Sequence, residues 1–156
     1  MATARIGLTG GCQCGAVRYR LDAVPGGSNI CHCRMCQKAG GSPFMAFTGV
    51  STDKFVVTKG EIARFASSDI ARRGFCSACG TPLTFEGAHG RHVSVTIASL
   101  DDPNAVAPTE QLGVESRVLW LDAALAAPAI TADDWLQSKK IASVGNRQHP
   151  DREDRV

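Results

Sequence analysis

Seven cysteines fall in three tight groups, Cys12-Gln-Cys14, Cys31-His-Cys33-Arg-Met-Cys36 and Cys76-Ser-Ala-Cys79. No other feature constrains the fold as strongly. An odd number of thiols in such close pairs argues against a disulfide framework. In a reducing compartment such pairs serve more often as metal ligands or catalysts than as staples. The first and third groups each end in Cys-Gly, at Gly15 and Gly80. Glycine there lets the chain turn back with positive φ, so that backbone N–H groups face the bound sulfur. Two short ligand pairs from distant parts of a chain are the usual construction of a closed, tetrahedral structural zinc site. Cys12, Cys14, Cys76 and Cys79 are therefore expected to hold one. The competing reading, a redox dithiol, wants Cys-x-x-Cys opening a helix in a βαβ unit. "FCSACGTPLTF" has β-type surroundings instead.

That assignment leaves Cys31, Cys33 and Cys36 as a claw on one loop, with no cysteine to complete a tetrahedron. Three protein ligands and an open fourth position are the arrangement of catalytic zinc. Three thiolates give such a centre one net negative charge, which makes it a weak Lewis acid, poor at ionising water. A soft incoming sulfur suits it better, so the expected chemistry is activation of a substrate thiol. His32 invites a role as fourth ligand, but it lies between two of these ligands and is expected to point away, as a supporting or merely packed histidine. His89 and His92 sit in a glycine-containing turn and are weak candidates. Arg34 and Lys38 flank the claw, and Arg72 and Arg73 lead into the third cysteine group. If they converge, these cations offset the negative centre and bind substrate carboxylates, with Arg34, Lys38 and Arg73 the named candidates. Taken singly, each reads equally well as a solvated surface charge.

The 156-residue chain has the length of one ordinary domain. A net charge of +2 and 6% aromatic residues show no basic, aromatic face for nucleic acid. The first residues carry no apolar signal region, and "VLWLDAALAAPAI" is broken by Asp122 and Pro128, too short for the roughly 18 residues of a membrane span. A soluble cytoplasmic protein is expected. Val17, Tyr19 and Leu21 alternate with Arg18 and Arg20, the period of a strand with one wet face. Further strands are expected at 44–50, 54–59, 62–66, 82–86, 92–98 and 114–121. Thr131 and Asp134 cap a helix that would stop at Gly145. The expectation is one mainly antiparallel β domain over 1–145 with a short C-terminal helix, followed by a polar, mobile tail over 146–156.

The ordered set "GGCQCGAVRY", "CHCRMCQKAGGSPF", "FCSACGTPL", "SLDDPN" and the Pro108 to Trp120 segment resembles the glutathione-dependent formaldehyde-activating enzyme and centromere protein V family. The resemblance implies a β-tent fold and two zinc ions per chain, structural on Cys12, Cys14, Cys76 and Cys79, catalytic-type on Cys31, Cys33 and Cys36. It implies a carbon–sulfur lyase that joins glutathione, or a similar thiol, to formaldehyde or another small aldehyde. No nucleic acid or membrane partner is expected, and a homo-oligomer is left open. Gln111 is a departure, because many similar sequences carry histidine there. The alternative function is a zinc-stabilised binding or scaffold module without catalysis.

Overall fold

The computed structural model describes residues 6–87 and 89–151. Among the described residues ten strands are formed: β1 (Leu8–Gly11), β2 (Arg18–Leu21), β3 (Gly26–Cys31), β4 (Met45–Ser51), β5 (Phe55–Lys59), β6 (Ala63–Ser68), β7 (Ala71–Phe75), β8 (Pro82–Gly87), β9 (His92–Thr96) and β10 (Glu110–Leu112). Three short helices join them: α1 (Arg34–Gly40), α2 (Leu121–Leu125) and α3 (Ala132–Ser138). The expected mainly β architecture is the one found.

β1, β2 and β5 make a small antiparallel sheet. The other seven strands form a second sheet in the order β10-β3-β4-β9-β8-β7-β6. All its pairings are antiparallel except β10 on β3. The two sheets share a core. Tyr19 and Leu21 of the small sheet bury themselves with Val50, Leu83 and Val95 of the large one. Full burial of a side chain such as Leu83 contributes ~1.5–3 kcal/mol. An isolated bridge between Gly10 and Leu100 joins the chain segments where the sheets meet.

Several expectations need correction. Arg18 lies not on a wet face but is buried, because Asp101 accepts both ends of its guanidinium, at 2.9 and 2.5 Å. A buried charge is tolerated when it is paired and hydrogen-bonded in this bidentate way. The stretch 114–121 is no strand. Gly113 takes φ 64° and turns the chain into a 3-10 turn at Val114–Ser116, and Leu121 opens α2. Val114, Leu119 and Trp120 are exposed, so the apparent strand pattern has no face to bury. The strand expected at 92–98 ends at Thr96 in a further 3-10 turn. The terminal helix is capped as expected, Thr131 Oγ1 accepting the Asp134 N–H at 3.1 Å, but it stops at Ser138 and not at Gly145. Residues 146–151 form no regular element, and the His149 N–H donates to the Gln13 carbonyl at 2.7 Å. Residues 1–5, and 152–156 of the expected tail, lie outside the described residues.

Candidate metal centres and active site

Cys12 and Cys14 lie on the loop between β1 and β2, and Cys76 and Cys79 on the loop between β7 and β8. Each loop is a tight knuckle. Gly15 and Gly80 take φ of 74° and 77°, and their N–H groups close back on the Cys12 and Cys76 carbonyls at 3.1 and 2.8 Å. The positive φ expected of both glycines is present. A sulfur contact comes from one turn further on, where the Val17 N–H donates to Cys12 Sγ at 3.2 Å. Thr81 stitches the knuckles together, its hydroxyl accepting the Gln13 N–H at 3.0 Å and lying 3.1 Å from Cys79 Sγ.

The four sulfurs lie within 4.8 Å of one another, with Cys12 to Cys14 at 3.6 Å and Cys14 to Cys76 at 3.9 Å. A regular tetrahedron with ~2.3 Å metal–sulfur bonds has edges of ~3.8 Å, so the donor set fits a tetrahedral ion. All seven cysteines are free thiols.

Cys31, Cys33 and Cys36 also gather within 4.8 Å, Cys31 to Cys33 at 3.4 Å. They do not sit on one loop, as the sequence suggested. Cys31 ends β3, Cys33 is the N-cap of α1, accepting the Cys36 N–H at 3.4 Å, and Cys36 faces inward one turn later. Strand, cap and first helical turn thus aim three sulfurs at one point. Seven residues make α1 too short for the sequence signal that flags longer amphipathic helices. Gly113 backs the cap: a Cβ there would lie 2.9 Å from the Cys33 backbone nitrogen.

Residues around this second cluster are unusual for a protein interior. His32 is 1% exposed, its Nε2 lies 2.9 Å from Gln111 Oε1, and its Nδ1 has no partner among the described residues. Neither ring nitrogen joins the group of three sulfurs, and the departure at Gln111 is the residue that holds the ring. Gln37, which the sequence reading passed over, is buried and donates to the carbonyls of His32 at 2.6 Å and Ser116 at 2.8 Å. Arg34 Nη1 reaches Gln37 Oε1. Arg34 and Lys38 are both exposed, one helical turn apart on α1.

The paired arginines of β7 part company. Arg72 is exposed, whereas Arg73 points inward, its Nη2 3.3 Å from Cys36 Sγ. Beside it a mostly apolar cleft of ≈300 Å³ is lined by Met45, Phe65, Arg73, Phe75, Pro82 and neighbouring residues. His89 and His92 are exposed at the turn between β8 and β9, away from both clusters.

The bare thiols of each cluster differ in acidity. Burial pushes Cys36 up to about 12 although Arg73 opposes it, and burial raises Cys76 to about 11. Burial also opposes ionisation of Cys79, yet the Thr81 hydroxyl and surrounding N–H groups hold it near 6. Cys33 is likewise lowered against burial, by the Cys36 N–H and the adjacent thiols. A bound cation is what lets every thiol of such a set ionise together.

A mainly β domain that collects its thiols into a set of four and a set of three is a cysteine-cluster protein fitted to hold metal. Residues 7–116 match the family described as glutathione-dependent formaldehyde-activating enzyme, and the chain belongs to that family. A Schizosaccharomyces pombe protein named as an uncharacterized lyase is 37% identical over 84 residues, 53% of this chain and 60% of that protein. A Halomonas elongata protein bearing the name of a glutathione-dependent formaldehyde-activating enzyme is 30% identical over 125 residues, covering 74% of this chain and 80% of its own. The chain thus spans less than two thirds of the yeast relative. A solved Rhodobacter sphaeroides structure aligns with a TM-score of 0.53 at 19% identity, over 66% of this chain and 98% of that one, a likeness of fold. The expectation of a lyase of the glutathione-dependent formaldehyde-activating kind agrees with the family's description and with what the two names print between them. No helix among the described residues is long and apolar enough to cross a membrane.

Proposed function

We propose that this protein is a carbon–sulfur lyase that joins glutathione, or a thiol like it, to formaldehyde or another small aldehyde. The observation that carries this reading is the second cluster: three convergent sulfurs, with every other cysteine already gathered in the set of four. Zinc is the ion proposed for both clusters, since it suits all-thiolate donors and tetrahedral spacing. At Cys31, Cys33 and Cys36 it would supply a Lewis-acidic position that favours the thiolate form of an added thiol.

The chain's own residues provide the rest. Arg34 and Lys38 stand on the exposed face of α1, where they are proposed to receive the thiol's carboxylates. His32, Gln111 and Gln37 fix the turn that carries the cysteines, so the sulfurs keep their geometry without help from substrate. In the reaction a bond forms between the thiol sulfur and the carbonyl carbon, the carbonyl π bond breaks, and the thiol proton ends on the oxygen. The product is a hydroxymethyl thioether, and no oxidant or reductant is required.

Magnetisation-exchange NMR tests this directly. The zinc-loaded protein should speed exchange between free glutathione, formaldehyde and their adduct, and Cys33→Ser should abolish the acceleration. Equal exchange with and without protein at millimolar glutathione would remove the assignment.

A further inference from the structure

Arg73 is 7% exposed. A guanidinium remains charged throughout the pH range of folded proteins, and a charge taken from water needs a countercharge. Among the described residues no carboxylate pairs with it. Its neighbours are Ser67 Oγ, which accepts from Nε at 2.9 Å, Met45 Sδ at 3.9 Å from Nη1, Cys36 Sγ at 3.3 Å from Nη2, and the face of Phe85, 5.1 Å from the guanidinium carbon. A hydroxyl, a thioether and a ring are neutral. Only the sulfur cluster is left to balance the cation.

The surroundings are arranged for this contact. Ser67 sits at the irregularity where the β6–β7 register shifts between Ala66 and Ser68, and its hydroxyl is turned onto Arg73. Bulges of this kind recur next to functional sites because they re-aim one side chain. Gly74 follows Arg73 where a Cβ would come within 2.1 Å of Thr84 Oγ1, so β7 lies close against β8. Phe85, directly across the ladder from Arg73, gives the cation its π face.

We infer that Arg73 is a positioning residue of the second cluster, which neutralises the metal–thiolate group and fixes Cys36, and that it sets that site's affinity for metal. The inference rests on the metal reading proposed above and revises the sequence expectation that Arg73 meets substrate carboxylates. Three thiolates and one divalent ion carry one negative charge, and the guanidinium carries one positive charge. The buried assembly is then neutral.

The test uses the full chain loaded with zinc or cobalt(II), with affinities measured by chelator competition and the cobalt–thiolate absorption recorded. The wild type should take up two ions. R73M keeps the apolar stem but removes the charge, and should weaken the second ion ~10–100-fold while leaving the first unchanged. R73K should recover most of the affinity but not the wild-type cobalt spectrum, because an ammonium restores charge without the planar fork. Second-site affinity within about threefold of wild type in R73M, with an unshifted spectrum, would overturn the inference. So would equal weakening of both ions in a folded R73M, which would make Arg73 a packing residue. Should R73M not fold, S67A reads the same contact: a roughly fivefold weakening, the equivalent of one neutral hydrogen bond, is expected, and no change sinks the idea. Uptake of a single ion by the wild type would instead remove the metal reading of the second cluster, a failure separable from the others because it precedes any variant.

Discussion

The two cysteine clusters are built from the same side chain at the same spacing, and they differ in what they connect. Cys14 and Cys76 meet across 62 positions of sequence, so the first cluster ties the loop after β1 to the loop after β7. Cys31 and Cys36 belong to one strand–helix junction and tie together nothing that is not already adjacent. The sulfurs of the first cluster are contacted by the Val17 N–H and the Thr81 hydroxyl, both neutral, while the Arg18–Asp101 pair and His149 border the same loop across a small cleft. A buried arginine and a buried histidine stand beside the second. Arg18 beside the first cluster is neutralised by a carboxylate, whereas Arg73 at the second has a cysteine sulfur in that place among the described residues. On the function proposed above, sequence separation marks the cluster that would hold the fold, and the cation touching a sulfur marks the one that would do chemistry.

The largest expected effect breaks the comparison open. Cys76→Ser should leave three sulfurs in a site whose binding free energy is also folding free energy. A loss of ~3–5 kcal/mol is expected, comparable to breaking a buried ion pair, which for a chain of this size lowers Tm by ~10–15 °C. Cys33→Ser should cost less than ~1 kcal/mol, since serine is itself a preferred N-cap and can accept the Cys36 N–H in place of the thiol. Calorimetry that finds equal shifts for both variants would erase the distinction between a structural and a functional cluster. Metal removal sharpens it from the other side. A chelator titration should empty the three-cysteine cluster first, with activity falling before any far-UV signal changes; simultaneous release with unfolding would contradict the division.

How far the sequence revealed these clusters depended on whether the cause was local. The knuckles were legible because Cys-Gly endings fix a turn whatever surrounds it, and both glycines take the positive φ that the pattern demands. The helix under the claw was not. Cys33 is an uncommon cap, and α1 has two buried positions, Cys36 and Gln37, too few to show a helical period. Arg18 and Arg73 were equally opaque. An arginine in an alternating strand reads as solvated until its partner is known, and Asp101 and Cys36 lie 83 and 37 positions away. The stretch 114–121 misled in the opposite sense, because apolar alternation there has no sheet to pair with, and only the fold shows that.

Gln111 offers an intermediate effect on the second cluster alone. Gln111→Leu strips the acceptor from His32 Nε2, and since Nδ1 is already without a partner among the described residues, the imidazole would be buried with neither nitrogen satisfied. An unsatisfied buried group costs ~1–3 kcal/mol. The expected outcome is a Tm lowered by a few degrees together with a loss of second-cluster metal affinity, the first ion unchanged. Weakening of the first cluster instead would mean that the His32 turn supports the whole domain.

The smallest effects are expected at Arg34 and Lys38. Both are exposed, and a surface charge contact is worth ~0–1 kcal/mol, so Arg34→Ala or Lys38→Ala should each raise the KM for glutathione about fivefold at most. The value of kcat should stay fixed, because a contact made equally in bound substrate and transition state changes binding alone. Raising the salt should shrink the difference, as screening does for solvent-exposed charges. Lys38→Ala should move neither Tm nor either metal affinity, which separates it from every change at His32, Gln111 or Arg73, whereas Arg34→Ala also removes the donor to Gln37 Oε1 and should lower Tm slightly. Unchanged KM in both variants would mean that the tripeptide does not approach over α1. The next route to test would then be the apolar cleft lined by Met45, Phe65, Arg73 and Phe75, with the carboxylates left in solvent.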